Sequence, residues 1–423
     1  MKSESSSGKA TPSWLKSVTP SHLDIVYDIL QKRETKRDSA RLESRLASKF
    51  PPNVSKDQAK YTRSLFPLLK LTNRVSMPSH YSVAVAELPE NIHYNRYLDI
   101  APYDRTRVVV NHEHGELSEA SEGQNRNDYL NASWVLEQFG HKWWIATQAP
   151  LPVTAHAFLS VFLKPISCPP KNLSTSPPRL SRLRTIVQLT QNYESGRRKA
   201  DAYFPSDVGK SLIVSPDGGG STSALKVTLR RKRSIMEAHC VHSTIVITPV
   251  TRSRSPVRHR GHDHVKERDE NDYGEDGKEE TITIQHLLYT AWPDHGVPEP
   301  KDRSSLLAFL RLVDSTNRDA SHIDDKDPDC DPPIVVGCSA GVGRTGSFIA
   351  LSSLLRWYGF LPPPAFPTLI TTLPRCPLGA LPRALKDDLV VQEIDSLREQ
   401  RPWMVQRNEQ ISLIYEIIAA AFG

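Results

Sequence analysis

Residues 332–355, PPIVVGCSAGVGRTGSFIALSSLL, constrain the fold of this 423-residue chain more than any other stretch. An apolar run ends at Val336, and Gly337 separates it from Cys338. Five small residues, Ser339, Ala340, Gly341, Val342 and Gly343, then lead to Arg344. Thr345 opens a helical pattern that carries Phe348, Ile349, Leu351 and Leu355. The order strand, tight loop, helix calls for a sheet with helices packed on it.

Such a loop is an anion cradle. Its glycines let the backbone curl so that successive N–H groups converge, and the helix start adds positive dipole. A thiol held there is expected to be acidified by those donors and by the guanidinium. Arg344 offers a planar fork for two phosphate oxygens. Cysteine and arginine on one phosphate-sized loop suit attack on a phosphate ester.

The rest of the chain narrows the setting. The formal charge is only +6, so no dedicated nucleic-acid binder is expected and any basic patch must be local. The five cysteines form no CxxC pair, and the 15 histidines no HExxH pattern. A disulfide framework and a metal site are therefore not expected. No stretch has 18 uninterrupted apolar residues and the N-terminus lacks an apolar signal core, so no membrane insertion is expected. The expected setting is cytoplasmic, with nuclear entry left open.

Strand-like runs occur at 107–110, 185–189, 244–249, 281–290 and 334–336, and helical patterns at 154–164, 303–313, 345–357, 384–400 and 407–421. Leu23, Val26, Tyr27 and Leu30 add an amphipathic helix within 21–50. The mixture points to an α/β (α+β) fold, a twisted mixed β-sheet flanked by helices. A disordered tail is expected over 1–20, followed by one domain over 21–423 with low-complexity insertions at 168–183, 206–224, 251–280, 314–333 and 361–382. The tail and insertions hold 18 of the 33 prolines. Arg230-Arg231-Lys232-Arg233 reads either as an exposed strand or turn or as a nuclear-localisation signal. The Ser-Pro segment at 251–258 reads either as a disordered loop or as a kinase-regulated one.

CSAGVGRTG, residues 338–346, resembles the active-site loop of the cysteine-based protein tyrosine phosphatases, and other segments resemble that family in the same order. AWPDHGVP, residues 291–298, resembles its acid loop, which makes Asp294 the proton donor. NIHYNRYLDIAPYDRTRV, residues 91–108, resembles its phosphotyrosine-recognition loop. There Tyr97 would wall a deep slot and Asp99 would bind the substrate backbone, with Leu98 where a polar residue is common. NDYLNASWV and WWIATQAPLPVT resemble its core segments. TIVQLTQNYESGRRKADAYFP, residues 185–205, would place Glu194 against Arg344 and Lys199 against the acid loop. REQRPWMVQRNEQISLIYEII, residues 398–418, resembles the water-positioning loop. Gln406 would orient water there, and Gln410 would steady that loop and the phosphate.

The resemblance spans roughly 85–420 and implies the family's fold, a phosphocysteine intermediate, and no metal or cofactor. Cys338, Asp294, Arg344, Thr345 and Gln406 would be catalytic. Ser339 to Gly343 with Tyr97, Asp99 and Gln410 would bind substrate, and Glu194 and Lys199 would support. Phosphotyrosine-containing proteins, kinases among them, would be the substrates of a monomer. One departure stands out: the family pattern has histidine before the nucleophile, and this chain has Gly337. Two alternatives follow, a phosphotyrosine-binding pseudophosphatase with little turnover and a dual-specificity phosphatase.

Overall fold

The computed structural model describes residues 10–49, 76–110, 129–217, 223–250, 281–294, 296–319 and 329–423. Nine strands form one sheet: β1 (Arg107–Val109), β2 (Tyr129–Leu136), β3 (Trp143–Gln148), β6 (Thr185–Gln188), β9 (Ser211–Val214), β10 (Ala224–Ile235), β11 (Cys240–Val250), β12 (Ile282–Tyr289) and β13 (Ile334–Cys338). Their order is β1-β2-β3-β13-β6-β12-β11-β10-β9. The four central strands β3, β13, β6 and β12 run parallel, and antiparallel arms extend on both sides. Two small hairpins, β4 (Ile166–Cys168) with β5 (Arg179–Ser181) and β7 (Tyr193–Glu194) with β8 (Arg197–Arg198), stand apart from it.

The helices are α1 (Ser13–Lys16), α2 (Pro20–Lys49), α3 (Met77–His80), α4 (Ala155–Ser160), α5 (Arg303–Arg318), α6 (Gly343–Trp357), α7 (Leu389–Gln400) and α8 (Asn408–Phe422). Strand alternation divides the core between the two sheet faces. Ile334, Val336 and Cys338 join one cluster, with Phe309, Phe348, Ile394 and Ile414 from α5 to α8. Val335 joins the other, with Phe158 and Leu159 of α4. Burial on both faces explains why β13 reads as an unbroken apolar run. On α5 the buried Leu306, Phe309, Leu310, Val313 and Asn317 recur at helical spacing. Asp388 caps α7 by accepting from the N–H groups of Val390 and Val391.

Several boundaries differ from the sequence reading. The tail expected over 1–20 is helical over α1 and packs on the core through Trp14, Leu15 and Val18. Leu15 is buried, and Trp14 Nε1 donates to the Tyr358 hydroxyl at 2.9 Å. The insertion expected over 206–224 contains β9, because Leu212 to Val214 are β-favouring residues that pair with β10. The stretch 314–333 begins inside α5, where Asp314 and Asn317 are buried to hold Arg356 and the Pro332 carbonyl. Residues 168–183 contain β5 and bury Cys168 and Leu173. Residues 361–382 touch α2 through Arg33, which donates to the Gly379 carbonyl. Residues 251–280, with the Ser-Pro segment, lie outside the described residues. Arg230 to Arg233 are exposed on β10.

The early turns of α2 bury Val26 and Leu30, but its later turns bury arginines. Arg37 pairs at 2.7 Å with Asp395 and at 2.6 Å with Glu399 of α7, and Arg33 reaches Asp395 at 2.7 Å. The helix therefore docks by ion pairs where its apolar stripe runs out. Buried pairs of this kind need several partners to offset desolvation.

Candidate active site

β13 carries Cys338 to the end of the parallel strands, and the chain turns at once into α6. The turn is tight against β3. Gly341 has φ 73°, and a Cβ there would lie 2.2 Å from the Thr147 carbonyl oxygen, so only glycine fits. A Cβ at Gly337 would lie 2.7 Å from the same oxygen. Cys338 is buried at 6% exposure.

Arg401 holds this loop from behind. Its guanidinium donates to the Gly341 carbonyl at 2.8 Å and the Ala340 carbonyl at 3.1 Å, and to Asn131 and Ser133 side chains. In trans peptides the N–H points opposite to the carbonyl. The amides of Gly341 and Val342 therefore face away from Arg401. Complete burial pushes the Arg401 pKa down to about 10, opposed by the charges of Tyr129 and Cys338, so it stays cationic at neutral pH. Arg401 is not among the residues that the resemblance of 398–418 marks. A lone arginine in a loop carries no signal of burial.

Arg344 lies on the first turn of α6 and is buried. Glu194 grips it with both oxygens, at 2.7 and 2.8 Å. Glu194 is fixed in turn by the Thr190 hydroxyl and the Gln191 N–H, each at 2.9 Å. Arg344 also donates to the Leu189 carbonyl at 3.0 Å and the Pro293 carbonyl at 2.7 Å. The second of these draws residues 292–294 onto the cradle. Asp294 is 3.8 Å from Arg344 and 2.6 Å from the Lys199 ammonium, with its side chain 7% exposed. Arg344, Glu194, Asp294 and Lys199 thus converge in one place.

The Tyr97 hydroxyl meets Ser339 Oγ at 2.9 Å, and Ser339 donates to the Lys199 carbonyl at 2.7 Å. Tyr97 therefore stands at the rim, 37% exposed. The segment before it is held by Arg96, which donates to the carbonyls of Ala149 and Pro150 and pairs with Asp201 at 2.6 Å. Asp99 is exposed two residues further on. The Gln410 amide abuts Gly343, where an added Cβ would come within 2.9 Å. Its oxygen accepts from the Arg407 N–H. Gln406 is exposed next to Val405, whose N–H bonds to the Val342 carbonyl at 3.2 Å. Thr345 is buried, and its hydroxyl has no hydrogen-bond partner among the described residues.

Gln188 supports the floor of this region. It lies opposite Gly337 in the β6–β13 register. Its amide nitrogen donates to the Thr190 carbonyl at 2.7 Å and to Asn192 at 3.2 Å, and its oxygen meets His286 Nε2 at 3.0 Å. Burial pushes the His286 pKa down to about 3, so the ring is neutral and donates. The sequence reading did not single out either residue.

The arrangement offers a buried thiol and a fixed guanidinium on one loop that opens a helix, with a carboxylate 3.8 Å from the guanidinium. That set can bind a phosphoryl group and pass a proton to or from it. Among the described residues there is no group of three or more His, Cys, Asp and Glu able to hold a metal ion. Among those residues no helix is long and apolar enough to cross a membrane.

The profile of the family described as protein-tyrosine phosphatase matches residues 91–165 and 180–358. The break overlaps the insertion expected at 168–183, and Gln406 and Gln410 lie beyond the matched residues. The chain is 30% identical over 349 residues to human receptor-type tyrosine-protein phosphatase H, covering 82% of this chain and 22% of that protein. It is 28% identical over 345 residues to the Caenorhabditis elegans tyrosine-protein phosphatase Lar-like, covering 81% and 11%. It is 28% identical over 337 residues to human tyrosine-protein phosphatase non-receptor type 14, covering 79% and 21%. The chain thus spans 11 to 22% of the length of these relatives.

Proposed function

Because the chain belongs to the protein-tyrosine phosphatase family, we propose that it hydrolyses phosphotyrosine in proteins through a phosphocysteine intermediate. The Cys338 thiolate attacks phosphorus, forming an S–P bond as the P–O bond to tyrosine breaks. Asp294 gives its proton to the leaving oxygen. Arg344 and the loop N–H groups stabilise the charge on the equatorial oxygens. Water placed by Gln406 then attacks phosphorus, and Asp294 takes its proton. The S–P bond breaks, releasing phosphate, and the Thr345 hydroxyl donates to the departing sulfur. Ser339 to Gly343 line the phosphate cradle, Tyr97 stacks on the substrate ring, Asp99 holds the substrate backbone, and Gln410 steadies the phosphate.

One observation carries this reading. Arg344, at the end of the loop that begins at Cys338, is clamped by both oxygens of Glu194, takes the Pro293 carbonyl and lies 3.8 Å from Asp294. The catalytic unit is proposed as a single domain acting as a monomer, in the cytoplasm or nucleus, with kinases among its substrates. Hydrolysis of a phosphotyrosine peptide by the purified chain tests the proposal. Cys338→Ser is expected to abolish turnover while keeping affinity, and Asp294→Ala to slow it and trap substrate.

Gly337 motivates a second reading, a phosphotyrosine-binding pseudophosphatase. Tight peptide binding by the parent chain without turnover would establish it and overturn the first. Equal rates on phosphoserine and phosphotyrosine peptides of one sequence would instead establish a dual-specificity phosphatase.

A further inference from the structure

We propose that a recess between the end of α5 and strands β10, β11 and β12 binds a phosphate dianion, free or as a monoester, apart from the Arg344 cradle. The recess has a volume of about 300 Å³. Strand alternation selects its cations. Of the basic run on β10, Arg231 and Arg233 share one face. Register brings them beside their partners on that face: Arg231 lies opposite Thr244, Arg233 opposite His242, and Thr244 opposite Gln285. The end of α5 closes the side through Thr316 and Asp319.

The hydrogen bonds there run in one direction. Arg233 donates to His242 Nδ1 from Nε at 3.2 Å and Nη2 at 3.0 Å. His242 therefore carries its proton on Nε2, which donates to Gln285 Oε1 at 2.8 Å. The Thr244 hydroxyl donates to the same oxygen at 3.2 Å. This fixes which end of the Gln285 amide is nitrogen. Gln285 is 5% exposed, and its Nε2 has no hydrogen-bond partner among the described residues. An orphaned buried donor is costly, and native proteins satisfy nearly all of them. A guest carrying acceptors would satisfy this one.

Charge favours an anion. Among the described residues, Arg184, Arg231 and Arg233 line the recess against one carboxylate, Asp319. Arg184 already donates to the carbonyls of Asn317, Asp329 and Cys330, and Arg233 to His242, so Arg231 and the remaining N–H groups of Arg233 supply the grip. The Arg231 fork, the Arg233 N–H groups not used by His242 and the orphaned Gln285 amide suit the three oxygens of a phosphoryl group. The site is distinct from the cradle. Gln285 pairs with Thr185 at the start of β6, whereas Gly337 pairs with Gln188 at its end.

The test titrates the full chain at low salt with inorganic phosphate and, separately, with O-phosphoserine, reading stoichiometry by calorimetry. The Arg231→Ala/Arg233→Ala variant, altered only at exposed positions, is expected to bind one phosphate fewer than the parent. Its hydrolysis of an aryl phosphate should stay within about twofold of the parent. O-phosphoserine binding tighter than phosphate at this site would identify a phosphorylated side chain as the guest, and equal affinities the free ion. Parent and variant binding the same number of phosphates with the same affinities would overturn the proposal, whether or not the cradle itself binds.

Discussion

Glu194→Gln isolates the charge that holds Arg344. The carboxylate makes four bonds: Oε1 accepts from Thr190, Gln191 and Arg344, and Oε2 accepts from the other Arg344 nitrogen. Glutamine keeps the shape. With its oxygen retained at the Oε1 position, its amide nitrogen replaces Oε2 and faces an Arg344 N–H at 2.8 Å. One charge-assisted bond is lost, and two donors confront each other. A hydrogen bond to a charged group contributes about 1.5–3 kcal/mol. Both side chains are buried, Arg344 at 9% and Glu194 at 6% exposure, so solvent screening reduces this little. At about 1.4 kcal/mol per tenfold, kcat/KM should fall about 10- to 150-fold. Both kcat and KM should change, because Arg344 is proposed to hold the phosphoryl group before and during reaction. Steady-state kinetics on an aryl phosphate measures this. Glu194→Asp, which keeps the charge but shortens the reach, should fall between parent and glutamine variant. A glutamine variant within about threefold of the parent would refute the view that this pair positions Arg344.

Gly337→Ala should destabilise the fold by about 1–3 kcal/mol, since its Cβ would lie 2.7 Å from the Thr147 carbonyl oxygen. A urea midpoint equal to the parent's would show that the strands yield freely. Arg401→Lys cannot reproduce the planar pair of bonds to the Gly341 and Ala340 carbonyls. It should lower kcat about tenfold or more by loosening the cradle, and an unchanged kcat would show that the loop holds itself. His286 has its pKa lowered from 6.5 to about 3. The unfolded chain therefore binds a proton there first, and this stability is present above pH 6.5 and lost as pH falls toward 3. By pH 5 the loss is about 2 kcal/mol. Urea unfolding of parent and His286→Gln should show a shallower acid-side fall in the variant, and parallel falls would refute the assignment.

The parts of the site that were legible in the sequence are those where chemistry and backbone demand coincide. Cys338, two glycines and Arg344 fall on one short loop, and a carboxylate flanked by Pro293 and Gly296 falls on another. The strand β13 was legible because both its faces are buried. Strands β2 and β3 were legible only through family resemblance. Their buried Asn131, Ser133, Thr147 and Gln148 break the apolar pattern. Asn131 and Ser133 are polar because they hold Arg401, and Gln148 because it accepts from the Arg96 N–H. The later turns of α2 were opaque for a similar reason. Arg33 and Arg37 look like solvent-facing residues until Asp395 and Glu399, more than 350 positions away, are placed against them. Long-range ion pairs leave no local periodicity.

Gly337 gains a physical explanation from its neighbours. The residue before Cys338 sits between β3 and β6, with Thr147 on one side and Gln188 on the other. A side chain there would meet the Thr147 backbone, so any support it gave the loop must come from elsewhere. Two sources are in place. Arg401 ties down the Ala340 and Gly341 carbonyls from behind. From the adjoining strand, His286 fixes Gln188, Gln188 fixes Thr190 and Asn192, Thr190 fixes Glu194, and Glu194 fixes Arg344. Each link as far as Glu194 donates to an acceptor that is itself held, and Glu194 then accepts from Arg344, so the chain ends on the guanidinium with little freedom left. Glycine at 337 thus removes one possible support while two others converge on the same loop.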